Sequence, residues 1–323
     1  MKGEYYKEVL VTYSMLYNAY VASTTSFALG PGKETNGPLT DNQNMAEIHK
    51  ENLAINPELY MPVLEKDVTN EYDYIVEIRA ARKNNLAIAN MPKEKVEYIT
   101  SDAIESELAY RAMLSTDVLK DQYCYSDEAI EILRTYEGER IENNPELRAV
   151  TATLSTALGE LVRSNTRMGV IYTWSWDCKP LVLWTDYAAV SWEGTYVNGG
   201  NNNMAFDEKT SFSTVNYYYT STQQEQESPG FVSDNLYHGA AIHFPAEKYI
   251  NAWYYWAKYG SLFVYTGLVN EKSGPLLYEL NTHAEFAHYT LGVGSGVSFP
   301  AGIDISVSGV KDVIGVRNLR IKA

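Results

Sequence analysis

The clearest hydrophobic pattern in the chain is a two-faced alternation near its C-terminal end. Residues 286–310 contain one formally charged side chain at neutral pH, Asp304. Over residues 289–299 larger apolar side chains alternate with Gly, Ser and Thr, Ser295 being the one exception, and the alternation resumes at Ile303. Alternate side chains of a strand point to opposite faces of a sheet. The region is therefore predicted to be β-structure.

The same pattern predicts where this region bends. A two-residue loop would mix apolar and polar side chains on each face. A three-residue loop at 300–302 opposes Phe299 to Ile303 and Val297 to Ile305, which keeps both faces uniform. Proline at the first loop position and glycine at the last suit a type I turn followed by a left-handed residue. We predict a hairpin with its bend at 300–302.

Two interpretations of this hairpin follow from its length and faces. Its apolar face can cover the core of a sandwich, as in any half-buried antiparallel sheet. Alternatively, the eleven residues of 289–299 match the roughly 9–11 residues of a membrane-crossing β-strand, which would make the chain a pore-forming or membrane-damaging protein using the 289–309 hairpin. The pattern does not separate the two.

Helical spacing dominates the first half of the chain. Helices are predicted at about 4–27, 70–90, 102–122, 127–140 and 145–164. Ser126 and Asn144 are predicted N-caps, and Pro145 occupies the first helical position after Asn144. Residues 1–165 are therefore predicted to form an acidic helical domain.

From Thr166 the pattern changes to a period of two. Strands are predicted near 169–176, 181–192, 210–221, 238–244, 250–258, 261–269, 276–282, 286–299 and 303–309, with turn segments at 198–203, 228–230 and 270–275. Many short strands separated by Gly, Asn and Pro indicate an antiparallel sandwich or partial barrel. The predicted fold class is α+β, with a helical N-terminal half followed by an antiparallel β-sandwich-like domain that is rich in Tyr and Trp, at 166–323.

The charge balance narrows the set of partners. The chain has 323 residues and a formal net charge of -15, without a Lys/Arg cluster. This argues against nucleic acid and against docking onto anionic lipid, because both need a basic face. Residues 9–32 are free of charge, but their Ser, Thr and Asn side chains predict a packed amphipathic helix rather than a membrane span.

Tyrosine is unusually abundant, with 27 residues beside 8 Phe and 6 Trp. A Tyr or Trp ring is apolar but has a polar end, so such residues suit both β faces and contact surfaces. Neighbouring rings of one strand point to opposite faces, so the 253–256 cluster is predicted to have a side outside the core. The candidate ligand contacts are Trp174, Trp176, Trp253, Tyr255 and Trp256, each of which core packing would explain as well.

Metal and redox chemistry have weak candidates. His283 and His288 are five residues apart, which on a strand directs the two imidazoles to opposite faces, so no zinc site is expected. Residues 198–203, followed by Asp207 and Glu208, could wrap calcium or form a solvated turn. Cys124 and Cys178 are predicted to be two unpaired thiols or one bridge between the halves. No cofactor is predicted.

Catalytic motifs do not appear in the sequence. There is no GxSxG elbow, P-loop or GxGxxG opening a helix. The carboxylates near aromatic residues, which a hydrolase acting on a surface polymer would need, are Asp177, Asp186, Glu193 and Asp234. The preferred hypothesis is a non-enzymatic extracellular or particle-surface protein that binds a protein or glycan surface, or itself, through its β domain. The pore-forming and hydrolase interpretations stay as alternatives.

Overall fold

The described strands pair into two larger antiparallel sheets and one two-stranded sheet. The computed structural model describes residues 65–83, 100–183, 185–232, 236–288, 297–299, 303–305 and 313–322. The predicted helix at 4–27 lies outside these residues. The strands are β1 Glu65–Asn70, β2 Thr153–Arg163, β3 Arg167–Trp176, β4 Thr185–Tyr196, β5 Met204–Phe206, β6 Phe212–Thr220, β7 Gln223–Glu227, β8 Gly239–Pro245, β9 Glu247–Ile250, β10 Trp253–Leu268, β11 Leu277–His288, β12 Val297–Phe299, β13 Ile303–Ile305 and β14 Val313–Lys322.

The larger sheet has the strand order β1-β2-β3-β10-β6-β7, with β5 and β9 also paired to β10. The smaller sheet has the order β14-β11-β4-β8. Trp174 of β3 stacks on Phe244 of β8 with ring centroids 5.4 Å apart, and its centroid lies 5.6 Å from that of Phe286 of β11. Because these contacts join residues of different sheets, the two sheets pack face to face as a β-sandwich.

The core of the sandwich depends on a glycine beneath one of its tryptophans. A Cβ placed on Gly260 of β10 would lie 2.2 Å from Cζ2 of Trp174 and 2.4 Å from the carbonyl oxygen of Thr214. Only glycine leaves room for a ring and a neighbouring backbone at this distance. The tight packing of Trp174 therefore requires a glycine at this position of an aromatic-rich strand.

The predicted register of the C-terminal hairpin is confirmed. Val297 pairs with Ile305 and Phe299 pairs with Ile303 across β12 and β13. Residues 289–296 and 300–302, and the direction of the side chains in both strands, lie outside the described part of the chain. The choice between a core-covering and a membrane-crossing hairpin therefore stays a prediction.

The helices of the described residues lie between β1 and β2. They are α1 Glu71–Lys83, α2 Ala103–Ala112, α3 Thr116–Asp121 and α4 Asp127–Arg134, followed by 3₁₀ turns at Ile141–Asn143 and Pro145–Val150. We call residues 71–152 the helical insert. The two predicted caps are confirmed: the Ser126 side chain accepts from the Ala129 N–H at 3.1 Å, and that of Asn144 accepts from the Glu146 N–H at 3.1 Å.

The predicted fold class, a helical N-terminal half followed by a β domain, is wrong. Residues 65–70 and 153–163 are paired strands of the larger sheet, so the described chain is mainly antiparallel β-structure. The helix expected at 145–164 ends after one short 3₁₀ turn. The β-branched residues Thr151 and Thr153 disfavour a helix, and Leu154, Thr156 and Leu158 then alternate as buried residues of a strand. The domain division at residue 165 stays a prediction.

Buried polar contacts attach the helical insert to the sandwich. The fully buried Arg111 donates to Tyr125 Oη at 2.7 Å and to the carbonyl oxygens of Lys179 and Pro180, both at 2.8 Å. The buried Glu71 carboxylate accepts from the backbone N–H groups at positions 181 and 182, at 2.9 Å each. Burial raises the pKa of Glu71, and the nearby His288 opposes that rise. These contacts fix the insert on the loop that follows β3.

A buried ion pair holds the insert together internally. Arg79 of α1 donates to Glu105 of α2, with 2.8 Å between Nη2 and Oε2, and the backbone N–H of Ile141 donates to the same carboxylate at 3.1 Å. Burial by itself raises the pKa of Glu105, but these donors outweigh burial, and the pKa lies below its usual value. The carboxylate is therefore held in its charged form.

Candidate binding surface

A tight turn joins β9 to β10 and brings several aromatic rings together. Asn251 and Ala252 have φ values of 49° and 73°, and Ile250 pairs with Trp253 across them. Two successive left-handed residues are the signature of a type I′ turn, which matches the twist of a two-residue hairpin. The strand pairing then places Tyr249 directly opposite Tyr254.

Three large aromatic side chains at this turn are exposed. We call Tyr249, Trp253 and Tyr254 the aromatic tip; their exposed fractions are 58%, 48% and 37%. The rings of Tyr249 and Tyr254 have centroids 4.9 Å apart. Trp253 stacks on Tyr219 of β6, with centroids 5.1 Å apart and an interplanar angle of 25°. The rings are thus ordered by neighbours while much of their surface meets solvent.

The base of the tip is held by the helical insert. The indole N–H of Trp256 donates to the carbonyl oxygen of Gln122 at 3.0 Å, and the hydroxyl of Tyr218 donates to that of Asp121 at 2.8 Å. The Gln122 side chain also donates to the hydroxyl of Tyr219 at 3.3 Å. The ring beneath Trp253 is therefore fixed by a residue of the insert.

Ammonium groups next to the tip are engaged in local interactions. Lys248 forms an ion pair with Glu227, and Lys179 forms one with Glu247 at 2.6 Å. Lys258 donates to Cys124 Sγ at 3.0 Å and lies over the ring of Tyr218, 4.3 Å from its centroid. Asn251 in the turn of the tip is exposed, and so are the polar residues 221–224 at the turn between β6, the strand of Tyr219, and β7.

Of the five predicted ligand contacts, one is exposed. Trp253 belongs to the aromatic tip, whereas Trp174, Trp176, Tyr255 and Trp256 are buried and pack in the core. A buried ring cannot meet a ligand that arrives from solvent. Tyr249 was not a candidate because residues 250–258 were predicted to be one strand. Tyr254 belongs to the 253–256 cluster that was predicted to have a side outside the core, but neither it nor Tyr219 was among the five candidate contacts. Reading Asn251 and Ala252 as a two-residue turn would have placed Tyr249 opposite Tyr254.

The predicted carboxylates do not converge on one site. Asp186 is buried and lies 2.7 Å from Nδ1 of the buried His288. Glu193 lies on the opposite face of the same strand, seven residues away or roughly 23 Å along it, far beyond the about 9.5 Å that paired glycosidase carboxylates span. Asp177 accepts from the backbone N–H groups of Thr153 and Cys178. Asp234 lies outside the described residues.

The histidine spacing has the predicted consequence. His283 lies 2.8 Å from Glu285, two residues further along the same face of β11, whereas His288 packs against Trp176 inside the sandwich. The two imidazoles point to opposite faces. Within the described ranges no group of three or more His, Cys, Asp or Glu side chains is placed to hold a metal ion.

The Asn-rich segment after β4 has structural contacts. The Asn202 side chain donates to the carbonyl oxygen of Pro275 at 3.1 Å and accepts from the Asn203 N–H at 2.9 Å, and Asp207 forms an ion pair with Arg167. These contacts join two loops at the far end of β10. They account for the side chains of Asn202 and Asp207 without calcium.

The two cysteines are free, so the bridge between the halves is not formed. Cys178 is buried, and burial raises the pKa of its thiol well above the usual value. Cys124 is half-buried beside Lys258. No helix in the described segments is long and apolar enough to span a membrane.

Comparisons with known proteins give distant structural matches. No family model and no curated protein matches the sequence. The collagen-binding domain of a Staphylococcus aureus adhesin matches with 12% identity and a TM-score of 0.29, over 51% of this chain and 95% of that domain. AvmM, which catalyses macrocyclization in alchivemycin A biosynthesis, matches with 5% identity and a TM-score of 0.24, over 52% and 89% of the two chains.

A third match comes from the Fap1 fimbriae of Streptococcus parasanguinis, in a structure concerned with pH-induced modulation of adhesion. It has 11% identity and a TM-score of 0.18, over 53% of this chain and 79% of that one. TM-scores this low do not establish a shared fold.

Proposed function

We propose that this protein is a non-enzymatic binding protein of a cell or particle exterior, and that it contacts its partner through the aromatic tip. The observation that carries the proposal is the exposure of Tyr249, Trp253 and Tyr254 on one short hairpin. Clustered exposed aromatic residues are costly to hydrate, and they are enriched where proteins make contacts.

The order of these rings supports a binding role. Trp253 is stacked on Tyr219, and Tyr249 packs beside Tyr254. Tyr and Trp each have two side-chain torsions, so rings that are already packed lose little conformational freedom when a ligand arrives. A preordered apolar surface at the end of a strand ribbon is suited to contact.

The carboxylates and histidines favour binding over hydrolysis. Asp186 and His288 are buried inside the sandwich, and Glu193 is on the other face of the sheet. A general acid must reach the substrate within hydrogen-bond distance. Asp177, Asp186 and Glu193 form no such pair, so the hydrolase alternative receives no support from them.

The test uses the full chain with a fluorescent label on a printed array of neutral glycans, anionic glycans and purified extracellular matrix proteins. We expect wild-type protein to bind at least one class of spot, and the double variant Trp253→Ala/Tyr254→Ala to lose that signal. Tyr278→Ala is the matched control, because Tyr278 is 53% exposed but lies at the start of β11. A wild-type signal that the double variant keeps, or no signal from any class, would overturn the proposal.

A further inference from the structure

We infer that the aromatic tip binds the pyranose rings of an uncharged glycan. This inference rests on the proposed function and specifies the ligand of the same surface. It follows from the area of the tip, the chemistry of its side chains and the charges around it.

The exposed area of the tip suits a small ligand. Tyr249 and Tyr254 lie on one face of the hairpin and Trp253 lies on the other. With about 150–250 Å² for a whole aromatic side chain, the exposed area is roughly 140–240 Å² on the first face and roughly 70–120 Å² on the second. A stable protein interface needs roughly 800 Å² on each partner. Each face therefore offers less than half of a protein interface, but enough area for a sugar ring lying flat on it.

The side chains combine apolar faces with amide groups. One face of the Trp253 indole lies against Tyr219, so its exposed half is available for the C–H face of a sugar ring. Asn251 lies in the turn itself, and Gln223 and Gln224 lie on the strand that pairs with β6. An amide both donates and accepts hydrogen bonds, which matches the hydroxyl groups around a sugar ring.

The charges around the tip favour a neutral ligand over an anionic one. Lys248 and Lys179 are each paired with a glutamate, and Lys258 is held between Cys124 and the ring of Tyr218. An anionic sugar would have to break these interactions to obtain a cation. It would also approach a chain with a net charge of -15. A neutral glycan needs no cation and is not repelled by the negative charge of the chain.

The experiment is a titration of full-length protein with neutral trisaccharides of glucose, mannose and N-acetylglucosamine, followed by tryptophan fluorescence and isothermal calorimetry. We expect binding of at least one trisaccharide, weakened about tenfold or more by Trp253→Ala. Trp253→Phe should retain more affinity than Trp253→Ala because it keeps a ring. Affinity should change less than about twofold between about 0.05 M and about 0.5 M sodium chloride, because no ion pair is formed.

The controls separate this inference from the proposed function. Tyr278→Ala should bind as wild type does, and circular dichroism should show that each variant is folded. If none of the neutral trisaccharides binds while a matrix protein or an anionic oligosaccharide binds in a Trp253-dependent way, the glycan inference is overturned and the binding function stands. If no probe of any class binds, both are overturned. Glycan binding unaffected by Trp253→Ala would also overturn the inference.

Discussion

Trp253 and Trp256 lie three residues apart on β10, yet one is 48% exposed and the other 1%. Both belong to the same strand, and both have an aromatic neighbour from β6, Tyr219 for Trp253 and Tyr218 for Trp256. Their odd separation places the two rings on opposite faces of the strand, and the helical insert covers Trp256, whose indole N–H donates to the Gln122 carbonyl. Identical residue types therefore become buried or exposed according to the face they occupy and what another part of the chain places over that face.

Among the substitutions considered, we expect the largest loss of stability at Trp256. Trp256→Ala should lower the free energy of unfolding by about 3–5 kcal/mol, because it removes a buried ring and leaves a cavity. Trp253→Ala should lower it by about 1 kcal/mol or less, because only its stacking on Tyr219 is lost. Urea unfolding measures both losses, provided that the dependence of the unfolding free energy on urea concentration is the same in the two variants. Equal losses for the two variants would break the distinction between covered and uncovered rings.

The helical insert should lose stability in acid. The folded pKa of Glu105 is below its unfolded value, so its stabilising contribution is present above the unfolded pKa and is lost as pH falls through the folded pKa. Glu105→Gln should cost about 1.5–3 kcal/mol at neutral pH and make stability less dependent on pH below about 4.5. Urea unfolding at stepwise lower pH measures this.

The control for Glu105 is an exposed carboxylate of the same insert. Glu131 of α4 is exposed, so Glu131→Gln should leave both the stability and its pH dependence close to wild type. If Glu105→Gln has as small an effect as Glu131→Gln, the buried ion pair does not hold the insert in place.

Two glycines allow the same comparison between a crowded and an open position of the backbone. Gly260→Ala should cost about 1–3 kcal/mol, because the added methyl group would overlap Trp174 and the Thr214 carbonyl. Gly230→Ala is the matched control, since a Cβ there meets no atom within 4 Å, and its effect should be within about 0.5 kcal/mol. Thermal unfolding of the two variants side by side is sufficient. A harmless Gly260→Ala would mean that the core rings pack less tightly than described.

The smallest expected effect is at the turn of the tip. Ala252 has a φ of 73°, which is unfavourable for a residue with a Cβ. Ala252→Gly relieves that strain but adds freedom to the unfolded chain, so a net stabilisation of about 0.5 kcal/mol is expected. Thermal unfolding measures it. A loss of stability would show that the turn is not held in the left-handed region.

Local patterns predicted much of the β-structure. Alternation over residues 297–305 was enough to predict the hairpin register, since a shift of one residue would exchange its two faces. The caps at Ser126 and Asn144 were predictable because side-chain oxygens there bind nearby N–H groups. The early end of the helix predicted at 145–164 could not be predicted. The cap at Asn144 indicates only where a helix starts, and the residues that follow fit a strand as well as a helix.

The candidate surface was less predictable than the fold. Strand alternation places Trp253 and Trp256 on opposite faces, but nothing local indicates which of the two faces residues 121 and 122 cover. Exposure at this level is decided by contacts between residues that are 134 and 97 positions apart. A single sequence indicates which aromatic residues are candidates for exposure, and the tertiary contacts determine which of them are exposed.

The helical insert leaves the sandwich and returns to it at one place. Asn70 pairs with Thr153, and the N–H of Glu71 donates to the carbonyl oxygen of Ala152 at 2.8 Å. The two ends of the insert are thus one strand spacing apart, about 5 Å, a gap that a two-residue turn can close. In modular terms, the strand order of the sandwich is independent of the helices. The helices add a cover that keeps Trp256 out of water, while Trp253 stays in contact with water.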